Sequence, residues 1–349
     1  IAVGLHLLGS RHLLPSGSSY SDPVLPWVVA VLSLNVLVGG FASTKIATAS
    51  RHLALGRVTL IELVSQVAGL AAMIVWALAD RSIWAMVVGS LSFALMRVFL
   101  SHAFLPGEPN ALHWSRDDFG EIFQFGKWIF LTSILGFLAF SGDRLILGWL
   151  IDPAMLGLYS IALLMVGALQ EIFSKLATSV AFPAFSEVVR QRPFELARVY
   201  YKFRLPLDVA SLLATGLLFS SGHHLIDLLY DDRYRAAGHM LEILSIGIFE
   251  VRYVLAGQCF MAMGLPRLLA PILTVRLFAV FGLLPVFFHF FGLDGAIWIA
   301  GGSVLFTLPV TFYFKLKHRL FDLRRELMVL PLLLVGYLSG LAINQICLE

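Results

Sequence analysis

The sequence predicts an all-α polytopic membrane protein with about ten transmembrane helices and part of another. Composition is the first reason, because 59% of the 349 residues are hydrophobic, 13% are charged and the mean hydropathy is +0.86. Soluble domains are about half apolar and about a quarter charged, so this chain needs lipid as part of its solvent. The second reason is that apolar runs recur at about the 20 residues with which a helix crosses a bilayer core. These runs lack a period-two alternation, which excludes a β-barrel.

Ten segments have the length and composition of membrane-spanning helices. They are residues 24–43, 58–79, 83–104, 127–150, 155–182, 205–229, 237–262, 266–291, 293–314 and 327–347. Residues 1–14 are apolar but shorter, and we interpret them as the end of an earlier span. Since the sequence begins with Ile1 inside this remnant, we expect the first helices of the parent protein to be missing.

Basic residues concentrate in alternate loops. Sixteen Lys and Arg residues fall on one side of the predicted topology, and three fall on the other, namely Arg81, Arg233 and Arg235. The positive-inside rule places the richer side in the cytoplasm. Glu349 would then lie outside, which indicates either an odd topology or a further missing span. The basic residues are scattered between apolar blocks and the net charge is only +3, so nucleic-acid binding is not indicated.

The longest polar stretch divides the chain into two predicted lobes. We interpret this stretch, residues 105–126, as a cytoplasmic linker that follows the incomplete first transmembrane lobe, residues 1–104. Residues 127–314 would form a second, six-helix lobe, and residues 315–349 a cytoplasmic loop with an additional transmembrane helix. Repeated lobes of this kind are typical of secondary transporters, so the sequence favours a two-lobe transporter architecture.

An acid and a base stand side by side inside an apolar run at Asp143 and Arg144. Ionisable residues at bilayer depth are costly and therefore candidates for function. Asp143 lies sixteen residues past Lys127, about 24 Å along a helix, in the outer part of the membrane. Neighbouring residues point about 100° apart, so the two side chains need different partners. We expect them to brace adjacent helices and to reach the outer interface by snorkelling, with contact between Arg144 and an anionic substrate as the alternative.

Two further pairs are spaced to meet on one helix face. Glu171 and Lys175 are four residues apart, so they could neutralise each other, or Lys175 could line a cavity and attract an anion. Arg204 and Asp208 have the same spacing near a helix end, and we expect them to form an ordinary surface pair.

Three charges in the seventh and eighth spans lack a partner on their own helix. Glu250 and Arg252 are two residues apart and point to different faces. Arg276 lies about 15 Å into the next span, counted from Pro266. We expect either a Glu250–Arg276 bridge between helices or an Arg252 side chain that faces a cavity.

Residues 142–162, GDRLILGWLIDPAMLGLYSIA, resemble the signature of bacterial polysaccharide and O-antigen flippases. In that pattern an Asp-Arg pair is followed by an aliphatic run with Gly and then by Leu-Gly-x-Tyr-x-x-Ala. Four more stretches resemble the same family, namely FGKWIF (125–130), VAFPAFSE (180–187), whose proline would close a helix, LLYDDRYRAAGHML (228–241) and FGLDGAIW (291–298). The resemblance covers most of residues 120–320.

This family belongs to the superfamily of multidrug, oligosaccharidyl-lipid and polysaccharide exporters. The resemblance implies two lobes around a cavity in the bacterial inner membrane and the flipping of a polyprenyl-diphosphate-linked oligosaccharide by alternating access. A polysaccharide polymerase and glycosyltransferases would be its partners, and no cofactor, metal or covalent chemistry is implied. The expected substrate contacts are the intramembrane charges, led by Lys175, Arg252 and Arg144 and followed by Arg276, Glu171, Glu250 and Asp143.

Two other functions stay open at this point. A cation-coupled multidrug exporter of the same superfamily should have mainly acidic residues in its cavity, whereas bases slightly outnumber acids at mid-membrane here. A membrane-embedded polysaccharide polymerase or ligase would need a large outer loop for its catalytic site, and the loop around Asp231 and Asp232 is short. The sequence contains no GxxxxGK[ST] phosphate-binding loop, so no ATPase is indicated.

Overall fold

The computed structural model describes residues 19–51, 55–106 and 116–348, and within these ranges the chain is helical and has no strand. The predicted remnant at 1–14 and the central part of the predicted linker lie outside the described residues. The helices are α1 (Leu25–Gly40), α2 (Lys45–Arg51), α3 (Leu55–Ala79), α4 (Trp84–Phe104), α5 (Arg116–Leu150), α6 (Pro153–Gln191), α7 (Leu196–Leu229), α8 (Arg235–Leu244), α9 (Val251–Ala262), α10 (Leu269–Phe278), α11 (Leu284–Lys317), α12 (Leu323–Met328) and α13 (Pro331–Leu348). The chain is therefore the all-α polytopic membrane protein that the sequence predicts.

The chain divides into two compact units, a first unit of residues 1–125 and a second unit of residues 126–349. In the first unit, α3 packs closely against α4 because both helices carry a glycine at the crossing. A Cβ atom on Gly69 would lie 2.9 Å from the carbonyl oxygen of Gly89. An ion pair of 2.8 Å between Arg97 and Glu62 joins the same two helices. Whether the two units act as transport lobes stays a prediction.

In the second unit, several shorter helices pack against the long helices α6 and α7. Helix α6 begins at Pro153, after an N-cap in which the Asp152 side chain accepts a hydrogen bond of 3.0 Å from Met155 N. Pro183 does not close this helix, although its resemblance to the family pattern implied that it would. The helix continues to Gln191. A proline removes only one backbone hydrogen bond, and a long, packed helix can tolerate that loss.

Seven helices of the described residues are long and apolar enough to cross a membrane. The sequence predicts ten spans, and the difference has physical causes. Helix α1 has the composition of a span but only 16 residues. The predicted span 237–262 is broken into α8, a 3-10 segment at Ser245–Glu250, and α9. The predicted spans 266–291 and 293–314 are counted together, as one apolar stretch from Pro266 to Lys317.

The chain reverses direction inside that stretch, at Gly292. This residue has φ +66° and ψ −152°, a conformation that residues with a side chain rarely adopt. A Cβ atom on Gly295 would lie only 2.6 Å from the carbonyl oxygen of Phe287, although residues eight apart in a straight helix are separated by about 12 Å. Helix α10 accordingly packs against α11. Gly292 thus lies between two antiparallel crossings, where the sequence places the boundary between its eighth and ninth spans.

Candidate functional site: a polar cavity in the second unit

A cavity of about 120 Å³ lies inside the second unit, where α5, α6, α8, α10 and α11 approach one another. Small and apolar residues form much of its wall, and five side chains bring polar atoms to it. These are Asp143, Arg144, Gln170, Arg276 and Ser303. Three of the seven intramembrane charges predicted as substrate contacts therefore line one cavity.

Asp143 is buried and braces α5 against α6. Its carboxylate accepts a hydrogen bond from the hydroxyl group of Tyr159, which has no exposed surface. A buried carboxylate without such a donor would be costly, so this bond fixes the register of the two helices. The expectation that Asp143 braces adjacent helices agrees with this contact.

Arg144, the next residue along α5, is exposed and forms no hydrogen bond or ion pair with any described residue. It lies in the span Ser133–Leu150 and lines the cavity. A guanidinium group carries five N–H donors and stays charged, so an unpartnered one within a membrane-spanning segment is expensive. Its position is suited to an anion that enters the cavity.

Arg276 approaches the same cavity from α10. Its Nη1 donates to Glu250 at 2.6 Å, so the predicted bridge between these two residues is present. The guanidinium carbon lies 4.4 Å from the ring centre of Phe140. Its Nε is buried and has no hydrogen-bond partner among the described residues. Arg276 therefore keeps a free donor at the cavity even though Glu250 compensates its charge.

The backbone around the cavity is irregular in two places. The 3-10 segment Ser245–Glu250 interrupts the helical path between α8 and α9, and a π-helical turn at Ala279–Leu283 follows α10. Such interruptions inside helices often mark hinges or functional sites. The amide of Gln170 on α6 donates a hydrogen bond of 2.7 Å to the carbonyl oxygen of Gly247 in the 3-10 segment. This hydrogen bond provides a partner for a backbone carbonyl group in the 3-10 segment.

Glu171 and Lys175 pair with each other on an exposed face of α6. Their N–O distance is 2.7 Å, and their side chains are 64% and 76% exposed. Of the two possibilities that the sequence left open, the structure shows the neutralised pair. Neither residue is among those that line the cavity, so a substrate contact at Lys175 stays a prediction without geometric support.

Arg252 does not face a cavity, because its side chain is only 1% exposed and is enclosed in an ion cluster. Its Nε donates to Asp208 at 2.9 Å, and its Nη2 donates to the backbone oxygen of Glu326 at 3.2 Å. The structure therefore favours a structural role for Arg252 over the predicted substrate contact.

The expectation of a surface pair at Arg204 and Asp208 is wrong. Both are buried members of this ion cluster, which we define as Arg204, Asp208, Arg252, Lys315 and Glu326. Arg204 Nε lies 3.1 Å from Asp208 and its Nη2 lies 2.7 Å from the carboxylate of Glu326. Lys315 also donates to Glu326. The cluster joins α7, α9, α11 and α12. The spacing of Arg204 and Asp208 along α7 shows that they can pair, but not whether the pair is exposed or buried.

Sequence reasoning missed Lys315 and Glu326, and also the uncharged residues Gln170 and Ser303. The sequence predicts the first two as charges of a cytoplasmic loop, since the positive-inside rule counts basic residues without showing their depth. The spacing of Arg204 and Asp208 was the one available signal for the ion cluster. For the cavity, a glutamine inside an apolar helix was the signal that could have been used.

The acidic pair in the predicted outer loop forms exposed ion pairs. Asp231 pairs with Arg233 at 3.1 Å and Asp232 pairs with Arg235 at 3.2 Å. Such pairs contribute little to stability and hold no arrangement that suggests catalysis.

Comparison with known proteins places the chain in a family. A family model described as polysaccharide biosynthesis protein matches residues 3–238, well over half of the chain. A search of curated proteins and a search of solved structures both give no match. The matched range includes α5 and α6 with Asp143, Arg144 and Gln170, and it ends within α8. With its apolar membrane-spanning helices and its polar cavity, the chain is a multi-pass membrane protein that belongs to the polysaccharide biosynthesis protein family.

Proposed function

We propose that the protein moves a polyprenyl-diphosphate-linked oligosaccharide across the bacterial cytoplasmic membrane. The observation that carries this proposal is Arg144, a membrane-embedded cation without a partner among the described residues, at a cavity that Arg276 also lines. The proposed substrate would supply an anionic acceptor for these arginines, because a diphosphate has several charged oxygens that can accept hydrogen bonds from guanidinium groups. Membership of a polysaccharide biosynthesis family makes a lipid-linked sugar the appropriate carrier of that diphosphate.

The size of the cavity limits what it would hold. About 120 Å³ can accept a small charged group but not an oligosaccharide. The diphosphate would therefore be bound there, while the polyprenyl chain stays in lipid and the sugars occupy space that opens during transport. Movement would follow alternating access without covalent chemistry, and the 3-10 and π segments beside the cavity are suitable hinges. Glycosyltransferases would supply the substrate and a polymerase would consume it.

The test is to replace Arg144 with Gln in the chromosomal gene of the host. We expect R144Q to reduce surface polysaccharide by roughly tenfold or more, because a charge-assisted contact contributes about 1.5–3 kcal/mol. The lipid-linked intermediate should accumulate inside the cell, and R144K should retain part of the export. Polysaccharide measured by immunoblot, and protein level in the membrane fraction, give the comparison.

The matched control is R233Q, which removes an exposed arginine from the predicted outer loop. Its polysaccharide level should equal that of the wild type. Normal export by R144Q at normal protein level would contradict the proposal. A changed susceptibility to cationic drugs, with polysaccharide unaffected, would support the multidrug alternative.

A further inference from the structure

A second, larger cavity of about 390 Å³ lies between α7 and α12, in the part of the second unit that the positive-inside rule places at the cytoplasmic surface. We call it the basic pocket, and three cationic side chains line it, Arg198, Lys202 and Arg325. Its position and lining differ from those of the cavity at Arg144, and nothing in the proposed transport function uses it.

Two of the three cations lack a counter-charge. Arg198 and Lys202 are exposed and four residues apart, on one face of α7. In the part of the chain that the structure describes, neither forms a hydrogen bond or an ion pair. Like charges at this spacing destabilise a helix slightly, so their placement calls for an anion from outside the chain. Arg325 is held at the pocket by Asp322, at 3.2 Å, and by the ring of Tyr201, at 5.2 Å.

The acid among the lining residues does not neutralise the pocket. Asp208 belongs to the buried ion cluster and is already bonded to Arg204 and Arg252. That cluster contains three cations and two carboxylates, so one positive charge is left over directly behind the pocket wall. The electrostatic potential in the pocket is therefore positive from two directions.

Three apolar residues also line the pocket, and two of them face outward. Leu205 and Met328 are exposed, and Val329 lies beside them. Leu205 is about one turn of α7 past Lys202, at the start of the predicted span 205–229, so charged and apolar surfaces follow each other along the predicted membrane normal. This order matches an amphiphile with an anionic head and an acyl chain. Basic pockets between helices at the cytoplasmic face of a membrane are suited to lipid headgroups.

We propose that the basic pocket binds the phosphodiester headgroup of an anionic glycerophospholipid from the cytoplasmic leaflet. Arg198 and Lys202 contact the phosphate oxygens, and an acyl chain lies along Leu205 and Met328. Binding connects α7 to α12 and thereby supports the helix that carries Glu326 into the ion cluster.

The experiment measures lipid binding to the purified full chain in detergent. Phosphatidylglycerol is titrated while bound lipid is counted by native mass spectrometry, with phosphatidylcholine and soluble glycerol phosphate in parallel. We expect saturable binding of phosphatidylglycerol only. The double variant R198Q/K202Q should weaken it by roughly tenfold or more, since each cation near an anionic surface contributes about 1 kcal/mol. R198Q and K202Q alone should each weaken it by a smaller factor.

The matched control is R190Q/R267Q, which removes two exposed cations on the same predicted side of the membrane but outside the pocket. It should bind phosphatidylglycerol like the wild type. Equal binding of phosphatidylcholine, or equal losses in the two double variants, would overturn the proposal. Saturation by glycerol phosphate would make the pocket a site for soluble anions, and displacement of phosphatidylglycerol by polyprenyl diphosphate would make it a substrate site. Either result overturns the phospholipid assignment while leaving the test of Arg144 unaffected.

Discussion

Two arginines of the second unit, Arg204 and Arg144, differ in their burial and in their partners. Arg204 has no exposed surface and is bonded to both Asp208 and Glu326, with the ring of Tyr253 5.0 Å from its guanidinium carbon. Arg144 lies in a membrane-spanning helix with no partner among the described residues. Burial of a charge is tolerated when it is paired, so the first arginine is structural. The second requires water or a ligand, and this contrast is the reason to place the substrate at Arg144.

Glu326 holds the ion cluster together, which gives a prediction for stability. E326Q removes the carboxylate that Arg204 and Lys315 share and leaves two buried cations without it. We expect the free energy of unfolding to fall by about 3–5 kcal/mol, the cost of breaking a buried ion pair from one side. Unfolding of the purified protein in mixed micelles by a denaturing detergent measures it.

The control for this prediction is E171Q, which breaks the exposed pair with Lys175 on α6. Its unfolding curve should coincide with that of the wild type, since exposed ion pairs are screened and weak. Coincident curves for E326Q and the wild type would mean that the ion cluster does not stabilise the fold.

Some side-chain contacts of the second unit could be predicted from the sequence and others could not. The bridge between Glu250 and Arg276 was predictable, because each residue lacked a partner on its own helix and the two segments are consecutive. The contact between Arg204 and Glu326 joins residues 122 positions apart. Helical spacing carries no information at that separation, so α12 had to be seen in place before the ion cluster could be recognised.

Among the helices, boundaries set by polar loops were predictable, and so was the interruption at Gly292, whereas other interruptions inside apolar runs were not. Gly292 interrupts its run with a residue suited to a positive φ, and the chain turns there. The 3-10 segment Ser245–Glu250 and the π turn Ala279–Leu283 also contain a glycine, Gly247 and Gly282, but neither of these glycines has a positive φ. Both segments lie at the cavity, where the packing of neighbouring helices rather than local propensity decides the backbone.

Helix α7 depends on glycine for its contact with α13, which gives a prediction for these two helices. A Cβ atom on Gly216 would meet the backbone of α13, 2.6 Å from the amide nitrogen of Tyr337. Because backbone cannot move aside as a side chain can, G216A should lower the free energy of unfolding by about 1–3 kcal/mol. Denaturing-detergent titration of the purified variant measures the change.

The same substitution at a helical glycine with open surroundings is the control. A Cβ atom added to Gly136 on α5 would have no neighbouring atom within 4 Å, so G136A should leave stability unchanged or raise it slightly. A G216A protein as stable as G136A would show that α13 can shift away from α7 at little cost.

For the whole molecule, composition and the length of apolar runs were enough to predict the fold class. The polysaccharide biosynthesis family, predicted from a resemblance centred on residues 142–162, is confirmed by the match to residues 3–238. The relative positions of the cavity at Arg144, the ion cluster and the basic pocket were not predictable, because they depend on how non-consecutive helices pack. A pattern along one helix determines which face is apolar, but not which other helix covers that face.

Orientation in the membrane is the property of the whole molecule that the charge pattern predicts most directly. Arg233 and Arg267 lie on either side of the segment formed by α8, the 3-10 turn and α9, and the basic residues place Arg267 in the cytoplasm. In a variant with Cys259 and Cys347 replaced by Ala, a membrane-impermeant maleimide should label R233C on intact cells. It should label R267C only after the membrane is permeabilised. The reverse pattern would invert the topology and move the basic pocket to the outer leaflet, whereas labelling of both positions on intact cells would mean that the broken segment does not cross the membrane.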